Sequence, residues 1–338
     1  MHKLITFAPH FKSITPMPLI SSSSYPGPPL YQFNGHMQTI LPAVLRKVET
    51  PWERERIQLP DGDSLDLDWI DNGARRLILL THGLEGNTDR HYMKGMANAF
   101  AARGWDVLGW NCRTCNGEMN EQLRMYNHGD TEDIGEVIRH ALSTKDYQEV
   151  VLIGFSMGGS ILMKYLGVNG RAVPEAVRAG IAFSSPCDLA ESVAALELPG
   201  NGFYKRRFFN SLRPKIEAKA RQYPDVLDLS NFDRIQQWKD FDNFFSAPIN
   251  GYRDADDFYF QASAKNFMDG TDRPILLVNA LNDPILTPAC SPEALCDQHP
   301  LIFLERPRKG GHVGFSQRGK PNAWSEQRAM EFAEGFIN

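Results

Sequence analysis

Three residues far apart in this chain have the types needed to make an activated nucleophile. They are Ser156 in VVLIGFSMGGS, Asp283 in LNDPILTP and His312 in RKGGHVGF. A serine hydroxyl is a poor nucleophile near neutral pH and needs a base. Imidazole supplies that base, and a carboxylate holds its tautomer and stabilises the imidazolium. The chain order serine, acid, histidine suits a parallel sheet in which each residue follows a later strand. The other eight histidines compete poorly with His312. His2 and His10 lie in an N-terminal arm, His36 precedes the sheet and His140 falls on a helix. His299 precedes a strand, at the wrong end of a sheet for catalysis. His82, His91 and His128 lie early, in or beside loops that open helices.

The serine sits in G-x-S-x-G between an apolar run and the helix-like ILMKYL, the pattern of a nucleophile elbow. Gly154 and Gly158 lack a Cβ, so the chain can fold tightly around a strained Ser156. A tetrahedral intermediate would carry an oxyanion needing fixed donors. Met157 N–H, just after the nucleophile, is one candidate. The other is Leu84 N–H in Thr81-His82-Gly83-Leu84-Glu85-Gly86, the loop after an early strand. His82 reads as a brace for that loop rather than a catalytic group.

The elements that would position these residues follow from periodicity. ERERIQLP and SLDLDWI alternate about Asp61-Gly62-Asp63, which predicts a hairpin. RLILLT, WDVLGWN, EVVLIGF, RAGIAF, PILLVNA and LIFLE are apolar strand runs. HYMKGMANAFAARG, DTEDIGEVIRHALS, ILMKYL, PEALCDQ and WSEQRAMEFAEGF fall between or after them at helical period. This alternation predicts an α/β fold with a mostly parallel sheet covered on both faces. Residues 187–269 break it with no strand signal, and 14 of the 36 aromatics lie between Phe203 and Phe260. That block predicts a helical cap, some of whose aromatics line an apolar pocket. The expected organisation is an N-terminal arm at 1–34, a core at 35–186 and 270–338, and the insertion at 187–269. Leu19, Ile20, Tyr25 and Tyr31 suit the arm to a partner subunit or a membrane surface.

Composition narrows the function classes. The 338 residues carry net charge −5 with both signs interspersed, and no basic stripe suggests nucleic acid. Five scattered cysteines fit a reducing compartment, and Cys112-x-x-Cys115 has no second pair at zinc-site spacing. No stretch approaches a bilayer span, so a cytoplasmic location is expected, with peripheral membrane contact as the residual option.

Taken together, NGHMQTILP (34–42), THGLEGN (81–87), RGWDVLGWNCRTCNGEMN (103–120), GDTEDI (129–134), GFSMGGSILMKYLG (154–167), ALNDPILTP (280–288) and GGHVGF (310–315) resemble the YheT-like α/β-hydrolases. These are bacterial relatives of one branch of the abhydrolase-domain proteins. The resemblance implies an α/β-hydrolase fold with a helical cap, and a triad mapping onto Ser156, Asp283 and His312. It also implies esterase or lipase activity on acyl esters. The family usually shows R-G-C-S-G where Arg113-Thr114-Cys115-Asn116-Gly117 stands. Arg113 and Glu118 read as ordering this loop. The expected reaction is serine carboxylester hydrolysis of small-molecule or lipid acyl esters with apolar chains of short to medium length, requiring no metal or organic cofactor. Lipase, phospholipase and thioesterase chemistry use the same machinery, and a non-catalytic binding protein is the alternative from another class. An elbow serine argues against dehalogenase or epoxide-hydrolase chemistry, which in this fold uses an aspartate.

Overall fold

Short apolar runs bounded by turn residues set the strands of this chain, whose computed structural model describes residues 19–337. They are β1 (Leu19–Ile20), β2 (Glu53–Gln58), β3 (Ser64–Ile70), β4 (Arg76–Thr81), β5 (Asp106–Asn111), β6 (Glu149–Phe155), β7 (Val177–Phe183), β8 (Ile275–Val278) and β9 (Ile302–Glu305). One sheet joins them in the order β1-β9-β8-β7-β6-β4-β5-β3-β2. Only β3 runs against the direction of the other strands. It turns back from β2 through Gly62, whose φ of 91° an L side chain rarely adopts. Arg54 and Arg56 on β2 face Asp68 and Asp66 on β3, with Nε–carboxylate distances of 2.8 and 2.6 Å.

The central strands are apolar on both faces because both faces are covered. Leu77, Leu79, Val150 and Leu152 point into one core, and Ile78, Leu80, Val151 and Ile153 into the other. The helices α1 (Gly35–Leu45), α2 (His91–Ala101), α3 (Thr131–Thr144) and α4 (Met157–Asn169) come next in the chain. α3 and α4 cover the first face, while α2 packs on the second with the last helix, Trp324–Glu334. α3 begins where the sequence predicts: Asp130 accepts from Asp133 N–H, and Glu132 and Asp133 lie in the first turn.

Between β7 and β8 the chain makes helices without strands. These are α5 (Leu189–Leu196), α6 (Gly202–Gln222), α7 (Trp238–Phe241), α8 (Ala247–Ile249) and α9 (Ala255–Ala262), followed later by α10 (Glu293–Gln298) and α11 (Trp324–Glu334). The aromatics of this insertion largely pack on each other: Phe232 lies 4.5 Å from Phe245, and Trp238 5.3 Å from Phe241, between ring centroids. Lys219 of α6 is fully buried and donates to Asn120 O at 2.6 Å and to Gln122 O. Burial lowers its pKa to about 8.

The expectation for the arm is refined. The arm is bound to the core more closely than its composition suggests. Leu19 and Ile20 pair in parallel with β9, and Tyr25 packs on Phe315 and Trp324 and donates to Ser316 O. Of Leu19, Ile20, Tyr25 and Tyr31 only Tyr31 stays exposed, alongside Leu30 and Phe33. Residues 1–18, with His2 and His10, lie outside the described residues. All five cysteines are buried free thiols, and burial raises the pKa of both Cys112 and Cys115. No group of three His, Cys, Asp or Glu that could hold a metal occurs among the described residues.

The loop that departs from the family pattern keeps a left-handed residue: Thr114 has φ 64° where glycine is usual. Asn116 uses its amide to donate to Asp66 Oδ2 at 3.1 Å. Arg113 anchors the loop from inside, contacting Asp133 and Asp61 at 2.8 Å and also Asp63. Glu118 meets Arg56 at the surface. Arg113→Met strands Asp63 and Asp133 in the interior, so the loss in stability is expected to be about 3–5 kcal/mol. Glu118→Gln is expected to cost less than about 0.5 kcal/mol. Denaturant unfolding of the two variants checks the contrast.

Candidate active site

The loop after β4 and the turn after β6 lie side by side because those strands are neighbours, with Thr81 opposite Gly154. β5 and β7 then lead away on opposite sides, so the carboxyl ends of β4 and β6 open a crevice where strand order reverses. Ser156 stands there at φ 54°, ψ −120°, a conformation disfavoured for a residue with a side chain. Neighbouring backbone holds it. Ser156 N–H donates to Phe183 O at 2.9 Å, and a Cβ on Gly158 would collide with the Thr81 and His82 carbonyls. The elbow therefore closes only with glycine at 158.

Asp283 follows β8 and His312 follows β9, and both converge on this serine. His312 Nε2 lies 2.9 Å from Ser156 Oγ, and Nδ1 lies 2.8 Å from Asp283 Oδ2. The Asp283 carboxylate is fully buried, and its Oδ1 accepts from Ile285 N–H at 2.9 Å. These bonds suit a neutral imidazole that donates from Nδ1 to Asp283 and accepts the serine hydroxyl at Nε2. His299 lies away from this cluster and bonds Asp269 O, and His140 pairs with Glu55.

α1 braces both loops from outside the sheet. Gln38 is buried; its Oε1 accepts from Gly310 N–H (2.8 Å) and Asn282 Nδ2 (2.9 Å), and its Nε2 donates to Gln32 O. Thr39 Oγ1 accepts from His312 N–H at 2.9 Å. Gly311 has φ 60°, and a Cβ there would strike the Gly35 and Gln38 backbone. Ser184, after β7, accepts from Val313 N–H through its hydroxyl at 2.9 Å. Sequence reading passed over Gln38, Thr39, Ser184 and Asn282. Asn34 was the available signal for α1: it caps the helix by accepting from Met37 N–H.

The loop after β4 presents Leu84. Gly86 N–H bonds Gly83 O, Gly83 N–H donates to Tyr92 Oη, and Glu85 N–H to Tyr126 Oη. Leu84 N–H and Met157 N–H have no acceptor among the described residues. A Cβ on Gly83 would lie 3.1 Å from Ser156 Cβ, so this turn sits directly against the serine. His82 is the expected brace: Nδ1–H donates to Gly83 O at 2.8 Å, and Nε2 accepts from Cys112 N–H at 3.0 Å. Burial lowers its pKa to about 4. Glu85 holds a positive φ of 54° and ties the loop to the insertion through Lys215 at 2.6 Å and through Ser211. Burial works to raise the Glu85 carboxyl, but Lys215, Ser211 and Tyr126 outweigh it and hold it below the usual range.

Two spaces meet at Ser156 and His312. One is an apolar cavity under the insertion, lined by Val193, Leu196, Leu212, Trp238, Phe241 and Phe258, among others. The other is a groove open to solvent between α1 and α6, with Ile40, Val44, Phe203, Tyr204 and Arg207 on its walls. His36 of α1 stacks on Tyr204 of α6, with ring centroids 5.8 Å apart.

Two outcomes follow from this geometry. Gln38→Ala leaves the buried Gly310 N–H and the Asn282 amide without their acceptor. It is expected to cost about 2–4 kcal/mol in denaturant unfolding and to slow fluorophosphonate labelling of Ser156. The His82 imidazole is expected to stay neutral, with its proton on Nδ1, down to about pH 4. Nitrogen-detected NMR of the histidine rings through a pH titration reads both properties.

The chain is similar to known proteins over most of its length. Residues 76–318 match the family model described as alpha/beta hydrolase fold. "Putative esterase YheT" of Escherichia coli (strain K12) is 32% identical over 90% of this chain and 91% of that protein. "Phospholipase ABHD3" of Mus musculus is 28% identical over 88% of this chain and 74% of that one. The solved structure of the Pyrococcus furiosus esterase Pf2001 shares the fold at TM-score 0.58 and 19% identity, covering 86% of this chain and 92% of that one. With the nine-stranded sheet, the elbow and these relatives in agreement, the chain belongs to the α/β-hydrolase family and is a hydrolase of the YheT-related branch.

Proposed function

We propose that the protein is a serine carboxylesterase acting on acyl esters with apolar chains of short to medium length. The observation that carries this reading is His312, placed within hydrogen-bond reach of both Ser156 Oγ and the buried Asp283 at the mouth of an apolar cavity. Ser156 Oγ attacks the ester carbonyl as His312 Nε2 takes its proton. Asp283 stabilises the imidazolium that forms. The oxyanion is received by the N–H groups of Leu84 and Met157. His312 returns the proton to the departing alkoxide, leaving an acyl-enzyme whose chain lies among Val193, Leu212 and Phe241. Water activated by the same imidazole then releases the acid.

The domain roles belong to this proposal. Residues 35–186 and 270–338 form the catalytic core, 187–269 act as a cap that selects the acyl chain, and 1–34 act as an arm. The name of the mouse relative favours a second reading, a phospholipid ester as substrate. That reading uses the same triad and differs only in what leaves.

Fluorophosphonate is expected to label the wild type and leave Ser156→Ala unlabelled. Asp283→Asn is expected to lower kcat on p-nitrophenyl esters by about 10³–10⁴. Leu212→Trp, which fills the cavity, is expected to shift preference toward shorter acyl chains with the triad intact. Equal labelling of wild type and Ser156→Ala would sink the mechanism. A matched panel of oxygen esters, acyl-CoA and phospholipids decides the leaving group.

A further inference from the structure

Apolar side chains stand in solvent on and around α1, beside the groove that reaches Ser156. Leu30, Tyr31 and Phe33 precede α1, Val44 and Leu45 end it, and all five are 62–79% exposed. Phe203, at the start of α6, is 56% exposed, and Leu281, just after β8, is 60% exposed. These seven are more than half of the thirteen large apolar side chains exposed among the described residues. They share one face. Val44 and Phe203 border the groove, Tyr31 and Leu45 border the adjoining depression, and Asn282 beside Leu281 bonds Gln38 of α1. A cluster of this kind at a site entrance marks a docking surface rather than ordinary scatter.

The charge on this face says what docks. Arg207 lies on the groove wall, Lys320 beside Tyr31 and Leu45, and Arg318 beside Leu30. Lys47 follows α1 at Leu45 and Arg46, and Arg308 and Lys309 precede Gly310, whose N–H bonds Gln38. All six are exposed, and among the described residues none has an ion-pair partner. The acids lining the groove are already matched, Asp89 with Lys94 at 2.9 Å and Glu85 with Lys215 at 2.6 Å. A chain of net charge −5 thus collects unmatched cations around its exposed apolar rim.

We propose that this face seats the protein on an anionic lipid surface, with the groove opening onto the bilayer. Apolar residues enter the acyl boundary while the cations meet the headgroup charge. A lipid surface offers both layers at once. Seated this way, an apolar chain passes from bilayer to groove and on to the cavity beside Ser156 without crossing water. The docking goes beyond the proposed chemistry and does not depend on it.

The test is flotation of the full chain with vesicles of phosphatidylcholine, alone or mixed with phosphatidylserine. Binding to the mixed vesicles is expected to be at least about tenfold stronger and to weaken with salt. Leu30→Ser with Leu45→Ser, and separately Arg318→Glu with Lys320→Glu, are each expected to lower it about tenfold or more. None of these four residues lines the catalytic groove, so hydrolysis of soluble esters and Tm should stay at wild-type values. Ser156→Ala should float as the wild type does, which separates docking from catalysis. Equal binding to both vesicle types, or wild-type binding by both double variants, overturns the proposal. So does a wild type that ignores vesicles but dimerises through this face, seen as monomers in the double variants.

Discussion

A strained serine backbone is the constraint on which the rest of this structure turns. Holding Ser156 at φ 54°, ψ −120° costs on the order of 1–3 kcal/mol, which the residue cannot recover by itself. Three strands supply the compensation. β6 ends at the turn, β7 accepts the Ser156 N–H at Phe183 O, and the carbonyls that end β4 leave no room for a Cβ at Gly158. The Cα–Cβ bond that carries the hydroxyl is therefore aimed by packed backbone. That rigidity lets a histidine from another loop meet it at 2.9 Å.

The second half of the site has a different support. Asp283 and His312 stand on loops, which are mobile unless tied down. Here the tie is α1, a helix that lies outside the sheet and precedes every strand except β1. One buried amide, Gln38, reaches the loops that carry Asp283 and His312, and Thr39 holds the His312 backbone. On the other side of the serine, Glu85 joins the turn after β4 to α6. Asp283 and His312 thus lean on α1, and the Leu84 turn leans on the insertion.

Much of this was legible because it is periodic or local. The apolar runs mark β4 to β9, the D-G turn marks the hairpin, and G-x-S-x-G carries its own backbone geometry. Asp283 and His312 could be picked out because each follows a strand in the order the chemistry needs. The helical insertion was visible as a break in alternation. What stayed hidden depends on contacts between distant segments. Gln38 looks like any surface glutamine until the loops of Asn282 and Gly310 close over it. β1 is two residues long and pairs only because β9 lies beside it. Thr114 and Glu85 adopt positive φ against their own preference, since surrounding bonds decide their conformation.

The two borders of the sheet are unlike, and the hairpin described above sets one of them. β2 ends the sheet with Glu53, Arg54, Glu55 and Arg56, and its arginines turn toward the carboxylates of β3. A strand arriving at this border would have to displace or bury four charges. The opposite border is β1, too brief to template another chain. Both ends of a nine-stranded sheet are thereby closed to further pairing among the described residues. Such a sheet can carry a long run of buried apolar strands without inviting copies of itself to stack edge to edge into fibrils.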